Sequence, residues 1–260
     1  MLYDSEMEIL NECFSLNPQN VLILSDDEGS EIYKSAINVY ESFCKSSFWI
    51  DNSKNTNVPP DIINSDLMTY FEVMRFDDHS NNGKENPNRA RASKMQEELF
   101  KNIPWAKDKK VFINSVTDLP TDKDHSYKMY LDGFSRTVNK HLNKLDKYDL
   151  NFQGYKKGFL IFDESSGLYY ELYDKLRKEV LYTEMSHLAR PHKYFLDRAF
   201  VDVFIDSDLD YLIWYAPYKV DSNNLSIEMP KVVFYDIKHF RNKKSLLVDY
   251  REPYMISSEI

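Results

Sequence analysis

Apolar positions along the chain fall into two patterns: helical stripes and short continuous runs. Ile32, Ala36, Ile37, Tyr40, Phe43 and Cys44 recur at helical spacing and predict an amphipathic helix over 31–45. Leu2, Met7, Leu10 and Phe14 predict a shorter helix over 4–15, and residues 89–100 also read as helical. Tyr127, Tyr130, Leu131, Phe134, Val138, Leu142 and Leu145 predict a long helix reaching about Lys147, with Thr121 or Asp122 as its cap. A last stripe, Phe195, Ala199, Phe200, Val203 and Phe204, predicts a helix over 192–205. The continuous runs at 20–24, 158–164, 210–216 and 231–238 are too short for buried helices and read as strands. Phe48-Trp49-Ile50 opens a further strand, and Ser165-Ser166-Gly167 turns into Leu168-Tyr169-Tyr170.

Between the first helix pair and the later strands lies the stretch that looks chemical, Pro59 to His79. It reads as two strands joined at Asn64-Ser65-Asp66, where small polar residues favour a turn. Asp61 follows a proline pair, which belongs at a strand start or edge. Side chains alternate along the second strand, so Glu72 and Met74 share a face with Met68 and Tyr70. A hairpin of this length can bring Asp61 beside Glu72. Two converging carboxylates suit Mg²⁺, which takes one or two carboxylates and keeps its other waters. The plain alternative is a solvated hairpin face, since antiparallel pairs often have one wet side.

The rest of the composition narrows the classes. With 42% hydrophobic residues, 19 Tyr and 16 Phe, the chain can fill a core with large side chains. It has 6 Gly, no GxGxxG and no GxxxxGK[ST], which argues against a phosphate-cradling loop. Two cysteines without motif spacing, Cys13 and Cys44, predict a reducing compartment. The acidic start lacks the pattern of a signal peptide, and no apolar run is long enough to span a membrane. A cytoplasmic protein is expected, and the richness in Asn, Lys, Tyr and Ile suggests an AT-rich bacterial or phage genome.

A formal net charge of −9 speaks against indiscriminate binding of polyanions. Residues 82–110 run the other way, with eight bases (Lys84, Arg89, Arg91, Lys94, Lys101, Lys107, Lys109, Lys110) against four acids. That strip is either a solvated helix and loop or a contact for nucleic-acid phosphates. His79, His125, His141, His187, His192 and His239 form no HExxH and no zinc spacing, and His79 alone lies near the hairpin in sequence. Asp163-Glu164-Ser165-Ser166-Gly167 places serines after a strand without a GxSxG elbow. Trp214-Tyr215 and Tyr169-Tyr170 read as core rather than as stacking platforms.

The order of elements resembles the PD-(D/E)XK nuclease-like superfamily. Its core of helix, three-strand run, second helix and fourth strand would map onto 31–45, 60–64 with 67–76, 158–164, 192–205 and 210–216. The family's Pro-Asp matches Pro60-Asp61, and its second acid matches Glu72 after ten intervening residues. The glutamate often found on the family's first helix would be Glu41. The motif lysine is replaced by Met74, and a thioether has neither charge nor a strong donor. Arg75 points to the opposite face, so Lys84 or a base of the 89–94 segment would have to reach back. A second acid-x-lysine, Asp236-Ile237-Lys238, with Asp208 or Asp210 as first acid, has too little chain after it for the full core.

These residues together predict one α/β domain over 1–260, with a small mixed central sheet flanked by helices. Its restriction-endonuclease-like core would cover about 30–76 and 158–216, with a helical insertion at about 88–150. The resemblance implies a divalent-metal-dependent nuclease in which Asp61 and Glu72 hold Mg²⁺ and Glu41 and Lys84 assist. The substrate, DNA or RNA, would run along 82–110. The alternative is a catalytically inactive domain of the same fold that serves in binding.

Overall fold

The computed structural model describes residues 5–52, 60–77, 126–145, 147, 151–165, 167–173, 189–219 and 229–257. Lys84, His79, the basic strip 82–110 and the helix expected over 89–100 lie outside the described residues.

The sequence folds around a seven-stranded mixed sheet. Its strands are β1 (Val21–Leu24), β2 (Ile50–Asp51), β3 (Ile62–Asn64), β4 (Thr69–Phe76), β5 (Lys156–Asp163), β8 (Tyr211–Tyr215) and β9 (Val232–Asp236), in the order β1-β9-β8-β5-β4-β3-β2. Strands β4, β5 and β8 run parallel and are buried over most of their length. Their apolar runs are nearly continuous because both faces are covered. β3 turns back against β4 in the expected hairpin, with Ile62 opposite Phe71 and Ile63 opposite Tyr70. The fold class is therefore α/β, as the alternation of elements predicts.

Two helices cover one face. α1 (Glu6–Phe14) and α2 (Glu31–Lys45) pack Ile9, Leu10, Ala36, Tyr40 and Phe43 on Phe71, Leu160, Ile213 and Phe234. Ser5 and Ser30 cap them by accepting the amide hydrogens of Glu8 and Tyr33. The other face is covered by α3 (Tyr127–Leu142), whose Tyr130, Phe134 and Val138 meet Met74, Phe159, Ile161 and Trp214. Phe134 stacks on Trp214 at 4.5 Å between ring centroids. α3, expected within an insertion, is thus a full layer of the core. Ser126 caps it, and it ends at Leu142, short of Lys147.

The helix expected over 192–205 is not one helix. The segment holds a 3-10 turn at Tyr194–Leu196 and the single-turn α4 (Arg198–Val201). Asp197 breaks the stripe by capping α4, its carboxylate accepting from the Ala199 amide at 2.9 Å. Beyond Val201, bonds from the Val203, Phe204 and Ser207 amides to residues three back tighten the backbone. The aromatic stripe is still buried, but by turns rather than by a helix.

A second, smaller sheet is antiparallel throughout. β6 (Tyr169–Leu172) is flanked by β7 (Ala189–Pro191) and β10 (Met255–Ser257). The buried carboxylate of Glu171 ties it together, accepting from Arg190 Nε and, at 2.7 Å, from Arg251 Nε. These bonds hold the Glu171 carboxyl below its usual range despite its burial.

The acid-x-lysine at 236–238 is not carried on a strand. β9 ends at Asp236, and Lys238 sits on the one-turn α5 (Ile237–Phe240), where Asp236 meets His239 Nδ1 at 2.8 Å.

Candidate functional site

The proline pair explains how Asp61 reaches the sheet. β3 begins only at Ile62, since proline has no N–H to offer a ladder. The Val73 amide on β4 is left beyond the reach of the β3 backbone, and the Asp61 carboxylate supplies the acceptor at 2.8 Å through Oδ2. Continuing the Ile62–Phe71 register by one residue puts Asp61 opposite Glu72. Alternation sends Glu72 to the face covered by α3, as it does Tyr70 and Met74, while Asp61, just outside the ladder, meets the edge of β4 through the Val73 amide.

Glu72 is a strand carboxylate inside the protein, only 5% exposed. Oε1 accepts from His141 Nδ1 at 3.0 Å, whereas Oε2 is buried with no hydrogen-bond partner among the described residues. A buried carboxylate oxygen without a partner forfeits hydration that nothing replaces. The Asp61 carboxyl is pushed up to about 6, first by its burial and next by the charge of Glu72. Its bond to the Val73 amide and the nearby His141 pull the other way, and Glu6 adds to the rise. The two acids therefore form an electrostatically coupled pair at the β3–β4 rim.

The remaining expected site residues are placed elsewhere. Glu41 is on α2, which covers the opposite face, and its half-exposed carboxylate pairs with Lys45 at 2.5 Å. Met74 is 2% exposed and packs in the core under α3, so the position of the motif lysine is closed to water and charge. Arg75 leaves from the other side of β4 and lies 3.7 Å from Glu164. Asp210, the other acid considered, accepts from Lys156 Nζ at 2.8 Å and from the Lys157 amide at 2.9 Å.

The donor set of Asp61 and Glu72 is hard oxygen, which suits Mg²⁺ or Mn²⁺ better than a softer metal. Among the described residues no group of three or more His, Cys, Asp or Glu side chains is gathered to hold a metal. The fit is of the two-carboxylate kind, in which water and substrate oxygens complete the shell. The unpartnered Glu72 Oε2 is the atom that such an ion would satisfy.

His141 is the part of this site that sequence spacing did not single out. It nevertheless follows Val138 by three residues and Phe134 by seven, on the buried stripe of α3. A histidine on that stripe must find a polar partner in the interior, and Glu72 is that partner.

Two further buried polar clusters lie on the same side of the sheet. Asp163, at the end of β5, accepts from Tyr130 Oη at 2.6 Å, from Trp214 Nε1 at 3.2 Å and from Ser165 Oγ at 2.5 Å. Lys219 Nζ lies 3.6 Å from Asp163, donates to Ser165 Oγ at 2.7 Å and sits 4.5 Å from the centre of the Tyr130 ring. Ser165 thus gives its proton to a carboxylate and receives one from an ammonium, and at 3% exposure it is closed off from solvent. In the second cluster Asp197 accepts from Tyr127 Oη at 2.7 Å and meets His192 Nε2 at 2.7 Å. Burial holds His192 below its usual range although Asp197 opposes this. Both clusters are satisfied internally and read as ties between elements. Trp214, Tyr169 and Tyr170 are buried and cannot stack on a nucleobase.

Comparison of the chain with known protein families, characterised proteins and solved structures finds no match. Among the described residues no helix is long and apolar enough to cross a membrane.

Proposed function

We propose that Asp61 and Glu72 bind one divalent cation, Mg²⁺ or Mn²⁺, and that the protein is a nuclease-like phosphodiesterase acting on DNA or RNA. The observation that carries this reading is Glu72 Oε2, a buried oxygen without a partner among the described residues, beside a second carboxyl raised to about 6. When bound, the ion would supply Lewis-acid polarisation of a phosphate oxygen and a lowered pKa for a coordinated water. Asp61, held by the Val73 amide, and Glu72, buried and held by His141, would fix the direction of their carboxylates before substrate arrives. The basic strip 82–110 supports a polyanionic substrate, whose phosphates its lysines and arginines would contact. Glu41 takes no part in this reading, and Lys84 is the sequence's nearest candidate for a charge near the phosphate.

A specific observation favours a second reading, a binding domain that has lost catalysis. Met74 occupies the core where the family resemblance requires lysine, so the usual charge beside the water is missing. A nicking assay separates the two. With Mg²⁺ or Mn²⁺, the wild-type protein should convert supercoiled DNA or cleave RNA, and Asp61→Asn should stop it. Absence of cleavage with a bound ion would favour the binding domain.

A further inference from the structure

We infer that His141 is the positioning residue of the Glu72 carboxylate, and that it sets the affinity of the acid pair for its cation. The inference rests on the reading of Asp61 and Glu72 as cation ligands.

A carboxylate bearing on a small hard ion must offer one oxygen in a fixed direction, which a freely rotating Glu side chain does poorly. Here the rotation is stopped. Oε1 is bound to His141 Nδ1 at 3.0 Å, and Oε2 is thereby turned to a position where it has no hydrogen-bond partner among the described residues. The carboxylate has no proton to give, so the hydrogen in this bond belongs to Nδ1. Asp61 shows the same division of labour, with Oδ2 committed to the Val73 amide. In each acid the protein restrains one oxygen.

His141 is itself held. It lies in the last turn of α3, and its ring stands at 81° to that of Phe159, with centroids 6.4 Å apart. Phe159 is the register partner of Glu72 on the neighbouring strand. Helix, aromatic ring and carboxylate therefore share one local frame, in which the imidazole has little room to swing. Outer groups that hold a metal ligand in this way typically change metal affinity about 10–100-fold when removed. The polar group reaching Glu72 thus comes from the covering helix rather than from position 74 of the strand.

The test is calorimetric titration of the full chain with MnCl₂, on wild type, Glu72→Ala, His141→Ala and His141→Asn, with thermal unfolding of each in chelator as a control. The Asn side-chain amide nitrogen occupies the place of imidazole Nδ1 and restores the donor without the ring. The expected result is loss of binding in Glu72→Ala, a weakening of about tenfold or more in His141→Ala, and recovery to within about threefold of wild type in His141→Asn. Equal affinity in wild type and His141→Ala overturns the inference while leaving the acid pair intact. So does a folded His141→Asn that fails to recover. Absence of any Mn²⁺ binding by wild type overturns the reading of the acid pair itself.

Discussion

Glu72 Oε1 and His141 Nδ1 lie 3.0 Å apart, joining the central hairpin strand to the last turn of the covering helix across 69 positions of sequence. The contact ties the buried carboxylate of β4 to the face covered by α3. It also places the polar site at one end of an otherwise aromatic interface between α3 and the sheet.

A lysine at position 74 should cost stability rather than add a charge beside the acids. Met74 is buried under α3 with Phe134, Phe159 and Trp214 in the same cluster. An ammonium there would lose its hydration with no partner to replace it, so Met74→Lys should lower stability by about 3 kcal/mol or more. Urea denaturation followed by circular dichroism measures this. An unchanged midpoint together with a gain of cleavage would show that position 74 opens to the acids.

Asp61 should make stability fall as pH rises. Its folded carboxyl is raised to about 6 from an ordinary 3.8, so in that window the folded protein binds the proton more tightly than the unfolded chain. The penalty is absent below the lower value and complete above the upper one. Allowing for partial exposure, wild type should lose about 2 kcal/mol relative to Asp61→Asn between pH 4 and pH 7 in chelator. The Asn oxygen still accepts from Val73. Parallel pH–stability curves for the two proteins would mean that neither burial nor the charge of Glu72 raises the Asp61 carboxyl.

Gly158 supports the hairpin by leaving room for Phe71. A Cβ at 158 would come within 2.3 Å of the Phe71 ring, which is wedged against Phe43 and Trp49 at 5.5 Å between ring centroids in each case. Gly158→Ala should therefore destabilise by about 1–3 kcal/mol through overpacking. Chemical denaturation tests it; a neutral effect would mean that β4 and β5 are looser than their register implies.

The Asp163–Lys219 pair should behave as a structural tie. Lys219→Met leaves a buried carboxylate without its cation and should cost about 3–5 kcal/mol. Adding Asp163→Asn should return part of that loss in a double-mutant cycle, because the uncompensated charge is then gone. Strict additivity of the two substitutions would separate them energetically.

The elements with the strongest patterns were legible in the sequence. α2 spans the expected 31–45, since its stripe begins behind Ser30 and its apolar positions never break period. β5, β8 and β9 fall within or next to their apolar runs because strands buried on both faces have no alternation to misread. The stripe at 195–204 misled because burial alone does not make a helix: Asp197 offers the backbone a cap in the middle of it. β10 pairs with β6 across more than eighty residues, a relation that no local pattern carries. The cross-strand relation of Asp61 and Glu72 followed from turn and alternation. The tie to His141 did not, because it depends on how α3 is laid over the sheet.

The pairing of Asp61 with Glu72 around one cation is tested most directly by titrating Mn²⁺ into the protein and following the free-ion electron paramagnetic resonance signal. Wild type should remove one equivalent of ion per chain, and an Asp61→Asn/Glu72→Gln variant with the wild-type circular dichroism spectrum should remove none. A wild-type signal equal to that of buffer, or equal uptake by the double variant, would contradict the account.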